Sequence, residues 1–182
     1  MSATYLLDTN IVSYFLEAQG GEVLAAATRV VSLAIVDEVR GELARHPARG
    51  GSSFEHWLAA SGIAVRSIPV GSDAAATLAH LLNPAAPLKD LGEYASIALA
   101  TVDPALVLVT HDKNGLWRAV REIWRAPAAL MGLAPFVRML YERGVATRGE
   151  LADEVGRLAG DVHRPTWWAA WRASLPSGSE PG

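Results

Sequence analysis

The sequence contains no cysteine. Disulfide staples, cysteine-ligated zinc and thiol nucleophiles are excluded with it. No apolar run is long enough to read as a membrane span, which takes about 18 residues or more. The opening Met1-Ser2-Ala3-Thr4 places no basic stretch ahead of an apolar one, so no secretory signal is predicted. A glycine-rich phosphate loop of the Walker or dinucleotide type is missing, as is any internal repeat. Positive charge is not in excess either. With 16 Lys/Arg against 19 Asp/Glu the formal net charge is −3, which argues against a generally basic nucleic-acid coat. These absences together predict a soluble protein of a reducing, cytoplasmic compartment.

What is present is a chain of 182 residues, 51% of them hydrophobic, enough for one well-buried domain with an appendage. Charge is unevenly spread. Residues 1–112 carry 6 Lys/Arg and 12 Asp/Glu, a balance of −6, whereas residues 113–182 carry 10 and 7, a balance of +3.

Hydrophobic periodicity predicts alternating strands and helices. Strands are expected at residues 4–7, 29–35, 63–70 and 106–110. Helices are expected at 10–17, where Gly20-Gly21 ends the first, and at 36–45. A short helix to about residue 60 should open at Ser52-x-x-Glu55, which has the form of a capping box. Further helices are expected at 73–82, capped by Ser72-Asp73, and at 92–101. A proline-marked loop spans 83–89. Beyond residue 112 the pattern turns helical, at 115–124, 135–143 with Gly144 as its stop, from the capping box Thr147-x-x-Glu150 to about 160, and at 166–173. The order implies an α/β fold: a central, mainly parallel sheet of about four to five strands between helical layers. In such sheets ligands bind at the carboxyl ends of strands, where strand order reverses.

Four acids occupy that kind of position. Asp8 follows the first strand. Glu38 is in the first turn of the helix after the second. Glu93 opens the helix at 92–101. Asp112 follows the fourth strand. Carboxylates converging at one end of a sheet repel one another unless a cation neutralises them. An all-oxygen ligand set suits Mg²⁺ or Mn²⁺. Blander roles compete at each position. Asp8-Thr9-Asn10 is also a good helix start. Asp37 and Glu42 rival Glu38, Asp90 rivals Glu93, and first-turn acids serve helix dipoles.

Four segments carry a more specific resemblance. YLLDTNIVSYFL (5–16) joins an apolar strand to Asp-Thr-Asn and an apolar helix. VVSLAIVDEVRGEL (30–43) joins a strand to a helical Glu. LGEYASIALA (91–100) sets an acid before an apolar helix, and LVLVTHDKNG (106–115) closes a strand with Thr-x-Asp. In this order and spacing they resemble the four motifs of PIN-domain nucleases over roughly residues 4–125.

The resemblance implies a three-layer α/β/α fold and a metal-dependent endoribonuclease. Asp8, Glu38, Glu93 and Asp112 become its acidic quartet, with Asp8, Asp112 and Glu93 on an Mg²⁺ or Mn²⁺ ion. Asn10 and Thr110 would orient the carboxylates. Lys113 and Arg118 would contact RNA phosphates. Asn114 stands where many relatives carry a further acid. Residues 1–125 are then the nuclease domain, 126–175 a helical C-terminal extension and 176–182 a disordered tail. Small bacterial relatives also imply a homodimer and the toxin role in a toxin–antitoxin pair, with an antitoxin protein as partner.

Two other α/β families fail on the residues. A haloacid-dehalogenase phosphatase needs a second Asp where Asn10 stands, and a receiver domain needs an acidic pair at the first strand. The competing expectation from a different class is a PIN-like nucleic-acid or protein binding module without nuclease activity. Trp167, Trp168 and Trp171 are expected to pack a terminal helix rather than to stack bases.

Overall fold

The computed structural model describes residues 3–17, 21–45, 52–82, 90–111 and 129–145. Five parallel strands, β1 (Thr4–Leu7), β2 (Ser32–Val36), β3 (Ala64–Arg66), β4 (Leu106–Thr110) and β5 (Ala129–Gly132), form one sheet in the order β3-β2-β1-β4-β5. Burial follows strand position. All five residues of β4 are buried, as are three of the four in β1, whereas none of the three in edge strand β3 is. Central parallel strands are covered on both faces and so read as continuous apolar runs.

Seven helices accompany the sheet among the described residues: α1 (Thr9–Glu17), α2 (Gly21–Ala27), α3 (Asp37–Arg45), α4 (Ser52–Ser61), α5 (Asp73–Leu81), α6 (Leu91–Val102) and α7 (Leu133–Glu142). The step β1→β2 and the step β3→β4 run in opposite directions across the sheet. Right-handed crossovers therefore place α1 and α2 on one face and α5 and α6 on the other. This is the expected three-layer α/β arrangement. Phe136 of α7 meets the rings of both Tyr5 and Phe15, at 6.0 and 6.4 Å between centroids, so α7 shares the face of α1.

Local chemistry explains where elements stop. In α7, Leu133, Phe136, Val137 and Leu140 are buried at helical spacing. The helix ends with Gly144 at φ +71°, its N–H bonded to Tyr141 O and the Val145 N–H to Leu140 O. That is a Schellman stop, which a glycine adopts without strain. Ser72 caps α5 by accepting from the Ala75 N–H at 3.2 Å.

Several elements differ from the sequence pattern. Gly20-Gly21 does not simply end the first helix, because Gly21 begins α2. Glycine serves there for close approach: an added Cβ would lie 2.8 Å from Trp57 Nε1 on α4. Helix α2 and the turn after it take residues 29–31 from the expected strand, and β2 starts at Ser32. The third strand shrinks to Ala64–Arg66, since an edge strand pairs on one side only. The helix expected to open at Ser52-x-x-Glu55 forms as α4, and the Glu55 carboxylate pairs with Arg40 on α3 at 2.8 Å. Within the stretch expected as a helical extension, α7 forms close to the helix expected at 135–143 and packs on the core, while residues 129–132 add a strand, β5, to the sheet edge. The loop at 83–89, the helices at 115–124, 147–160 and 166–173 and the tail at 176–182 lie outside the described residues.

Among the described residues no helix is long and apolar enough to cross a membrane.

Candidate active site

The chain leaves β1 toward β2 and β3, then returns to β4 on the other side of β1. The carboxyl ends of β1 and β4 are thus the point where strand order reverses, and Asp8 is the residue that emerges there. The register Leu7↔Val109 sets Asp8 beside Thr110 one step further on. The Asp8 N–H extends the ladder to Val109 O at 3.0 Å, and its carbonyl accepts from the Ile11 and Val12 N–H groups that start α1.

Asp8 is only 2% exposed, and both of its carboxylate oxygens accept hydrogen bonds. Oδ1 accepts from the Thr9 N–H at 2.7 Å and Oδ2 from the Thr110 hydroxyl at 2.9 Å. An N-cap side chain ordinarily bonds the N–H two or three residues on. Here the described donors are the adjacent residue and a neighbouring strand, so the carboxylate is turned across the sheet edge. Asn10, expected to orient it, lies half-buried in the first turn of α1. The observed donors are Thr9 and Thr110.

Helix α6 precedes a parallel strand, so its amino end lies at the same carboxyl edge. Glu93 in its first turn is 6% exposed. Its rival Asp90 is exposed, at φ +60°, and marks the turn into the helix with no side-chain cap bond. Glu38 opens α3 just past β2, half-buried, with Oε2 shielded from solvent and without a hydrogen-bond partner among the described residues. Asp37 points elsewhere, accepting from the Ser67 hydroxyl. Each of the three buried or half-buried acids follows or opens a helix amino end, where the dipole favours negative charge.

Glu42 has a separate task. One oxygen accepts from the Thr9 hydroxyl at 2.5 Å and the other from the Gly92 N–H at 2.8 Å. One carboxylate on α3 therefore ties the amino ends of α1 and α6 together, flanking Asp8 and Glu93. Gly92 leaves no room for a side chain: a Cβ would lie 2.8 Å from Glu42 Oε2, 2.8 Å from Thr9 Oγ1 and 2.9 Å from Val39 Cγ2. Sequence patterning did not assign Thr9 or Gly92 to the site. The usable signal was a glycine directly before a buried acid in the first turn of an apolar helix. His111, at the end of β4, meets Tyr14 edge-on with centroids 5.4 Å apart.

The donor chemistry is all oxygen, and the orphaned Glu38 oxygen is a position a hard cation or its water shell would satisfy. Among the described residues alone, no three acidic or imidazole side chains are grouped to hold one ion. The fourth expected acid, Asp112, and the cations Lys113 and Arg118 lie outside the described residues. The chain matches no protein-family model, no curated protein and no solved structure.

Proposed function

We propose that this chain is a metal-dependent nuclease that hydrolyses RNA phosphodiesters, with Asp8, Glu38, Glu93 and Asp112 around a Mg²⁺ or Mn²⁺ ion. The observation that carries the proposal is the Asp8 carboxylate: buried, at the strand-order reversal, and held by Thr110 from the neighbouring strand. A carboxylate used only as a helix cap needs no such second anchor. Support comes also from Glu38 Oε2, since a buried anionic oxygen without a donor is costly unless a cation faces it.

Asp8, Glu93 and Asp112 would hold the ion, and Glu38 would complete the negative pocket. When bound, a divalent cation supplies a water nucleophile at neutral pH and offsets charge on the phosphate. The chain's own residues position. Thr9 and Thr110 fix the rotamer of Asp8, and Glu42 fixes the spacing between α1 and α6. Lys113 and Arg118 would bind phosphates beside the scissile bond. The choice of RNA, a homodimer and an antitoxin partner rest on the PIN-domain resemblance, as does a cytoplasmic toxin role.

The test is cleavage of a mixed RNA substrate with Mg²⁺ or Mn²⁺, with EDTA, and by the Asp8→Asn variant. Cleavage lost in both controls supports the proposal, and cleavage that survives both overturns it. A second reading, a PIN-like binding module without hydrolysis, is favoured by the lack of a three-acid group among the described residues. RNA binding with neither cleavage nor calorimetric metal binding would select it.

A further inference from the structure

A cavity lies at the opposite, amino edge of the sheet, where β1 and β2 begin and α7 ends. Its volume is about 340 Å³, at the lower end of small-molecule sites. Tyr5, Thr28, Arg29, Ser32 and Arg143 contribute its polar lining, and no lining residue is acidic. Neither Arg29 nor Arg143 forms an ion pair or a side-chain hydrogen bond among the described residues. The nearest acid in sequence, Glu142, is engaged by Arg138 at 2.7 Å.

Both arginines sit on fixed backbone. The Arg29 N–H bonds to Ala26 O at 3.1 Å, and the Thr28 hydroxyl before it lies within bonding distance of Ala25 O and Ser61 O. The Arg143 N–H bonds to Met139 O at 3.1 Å, just before the Gly144 stop. An arginine at a helix carboxyl end also complements the dipole. That role does not account for Tyr5. It is 9% exposed, packs its ring on Phe136, lines the cavity, and its hydroxyl has no hydrogen bond among the described residues.

We infer that this cavity binds a phosphate monoester, with Arg29 and Arg143 on the phosphoryl oxygens and the Tyr5 and Ser32 hydroxyls as further donors. Guanidinium forks match phosphate geometry. Two of them balance a monoester carrying about −1.5 to −2 at neutral pH, which a single carboxylate does not. The site is independent of the carboxyl edge and stands or falls apart from the nuclease proposal.

Calorimetric titration of the full chain in EDTA tests it, since no cation at the carboxyl edge then recruits phosphate. The probes are inorganic phosphate, adenosine monophosphate, acetate and a short single-stranded RNA with and without a 5′-terminal phosphate. Wild type should bind phosphate or the monophosphate saturably. Arg29→Gln/Arg143→Gln should weaken that by about tenfold or more, Tyr5→Phe by less, and Asp8→Asn not at all. Both arginines are exposed, and melting curves would verify that the variants fold. Competition by 5′-phosphorylated RNA that is lost in the double variant would identify a nucleic-acid terminal phosphate as the source, and equal competition by RNA without a terminal phosphate would overturn the monoester assignment. No saturable binding, equal binding of acetate, or a double variant that binds like wild type would each overturn the inference.

Discussion

The Glu42 carboxylate accepts the Gly92 N–H across 50 residues of sequence, at 2.8 Å, while its other oxygen takes the Thr9 hydroxyl. Hydrogen bonds to a charged acceptor contribute about 1.5–3 kcal/mol each, and these two set the distance between α1, which starts directly after Asp8, and α6, which bears Glu93. Glu42→Ala should lower unfolding free energy by about 2–3 kcal/mol in urea titration. RNA cleavage should fall by about 10–100-fold, since small misplacements of reacting groups cost that much. Glu42→Gln keeps an acceptor for Gly92 and should retain most of the stability. Equal stability of Glu42→Ala and wild type would mean that the Glu42 carboxylate does not hold α1 and α6 together.

Two helical glycines should respond in opposite directions to alanine. At Gly92 a Cβ would meet three atoms inside 3.0 Å, so Gly92→Ala overpacks the junction and should cost about 1–3 kcal/mol. At Gly41, inside α3, the nearest atom is Arg45 Nη2 at 3.8 Å. Gly41→Ala should raise stability by about 0.5–1 kcal/mol, because alanine loses less backbone entropy in a helix. Thermal melts of the pair read the contrast directly, and a shared sign would contradict it.

Much of this was legible because central elements state their environment in sequence. Leu106–Thr110 is apolar throughout since β4 is buried throughout, and its bounds match the pattern. The Asp8 position follows from the same logic, a charge where a buried strand ends. Less was legible at the periphery. Gly21 carries a packing role that looks like a helix stop, Ala129–Gly132 is too short and too weakly branched to announce an edge strand, and β3 contracts for lack of a second neighbour. Within the site, the choice between Glu38 and Glu42 could not be read from spacing. The two lie one turn apart, and only the positions of Thr9 and Gly92 give Glu42 its partners.

Thr110 tests whether the second anchor on Asp8 matters. Thr110→Val keeps shape and removes the donor, leaving Asp8 Oδ2 short of a bond that the described structure supplies at 2.9 Å. Stability should drop by about 1–3 kcal/mol, and metal affinity by about 10–100-fold, the usual effect of losing a group that orients a ligand. Thr110→Ser should restore both. Rescue by serine separates the hydroxyl from mere packing, and a serine variant as impaired as valine would assign the effect to the lost methyl.

The last prediction uses stability rather than catalysis to detect the ion. Ligand that binds only the folded state adds about 2.7 kcal/mol at a hundred times its Kd, which for a chain of this size is about 5–10 °C in Tm. Mg²⁺ or Mn²⁺ should therefore raise the wild-type Tm and leave Asp8→Asn unmoved. Glu38→Gln is the sharper variant. In EDTA it removes a charge with one oxygen buried and unpartnered, so its Tm should equal or exceed that of wild type. With Mg²⁺ its gain should be smaller than the wild-type gain, because the neutral amide no longer contributes negative charge to the pocket. The Tm difference between variant and wild type therefore shifts in favour of wild type on going from EDTA to Mg²⁺. A wild-type Tm indifferent to both ions would instead leave Glu38 as a helix-dipole acid and sink the metal proposal.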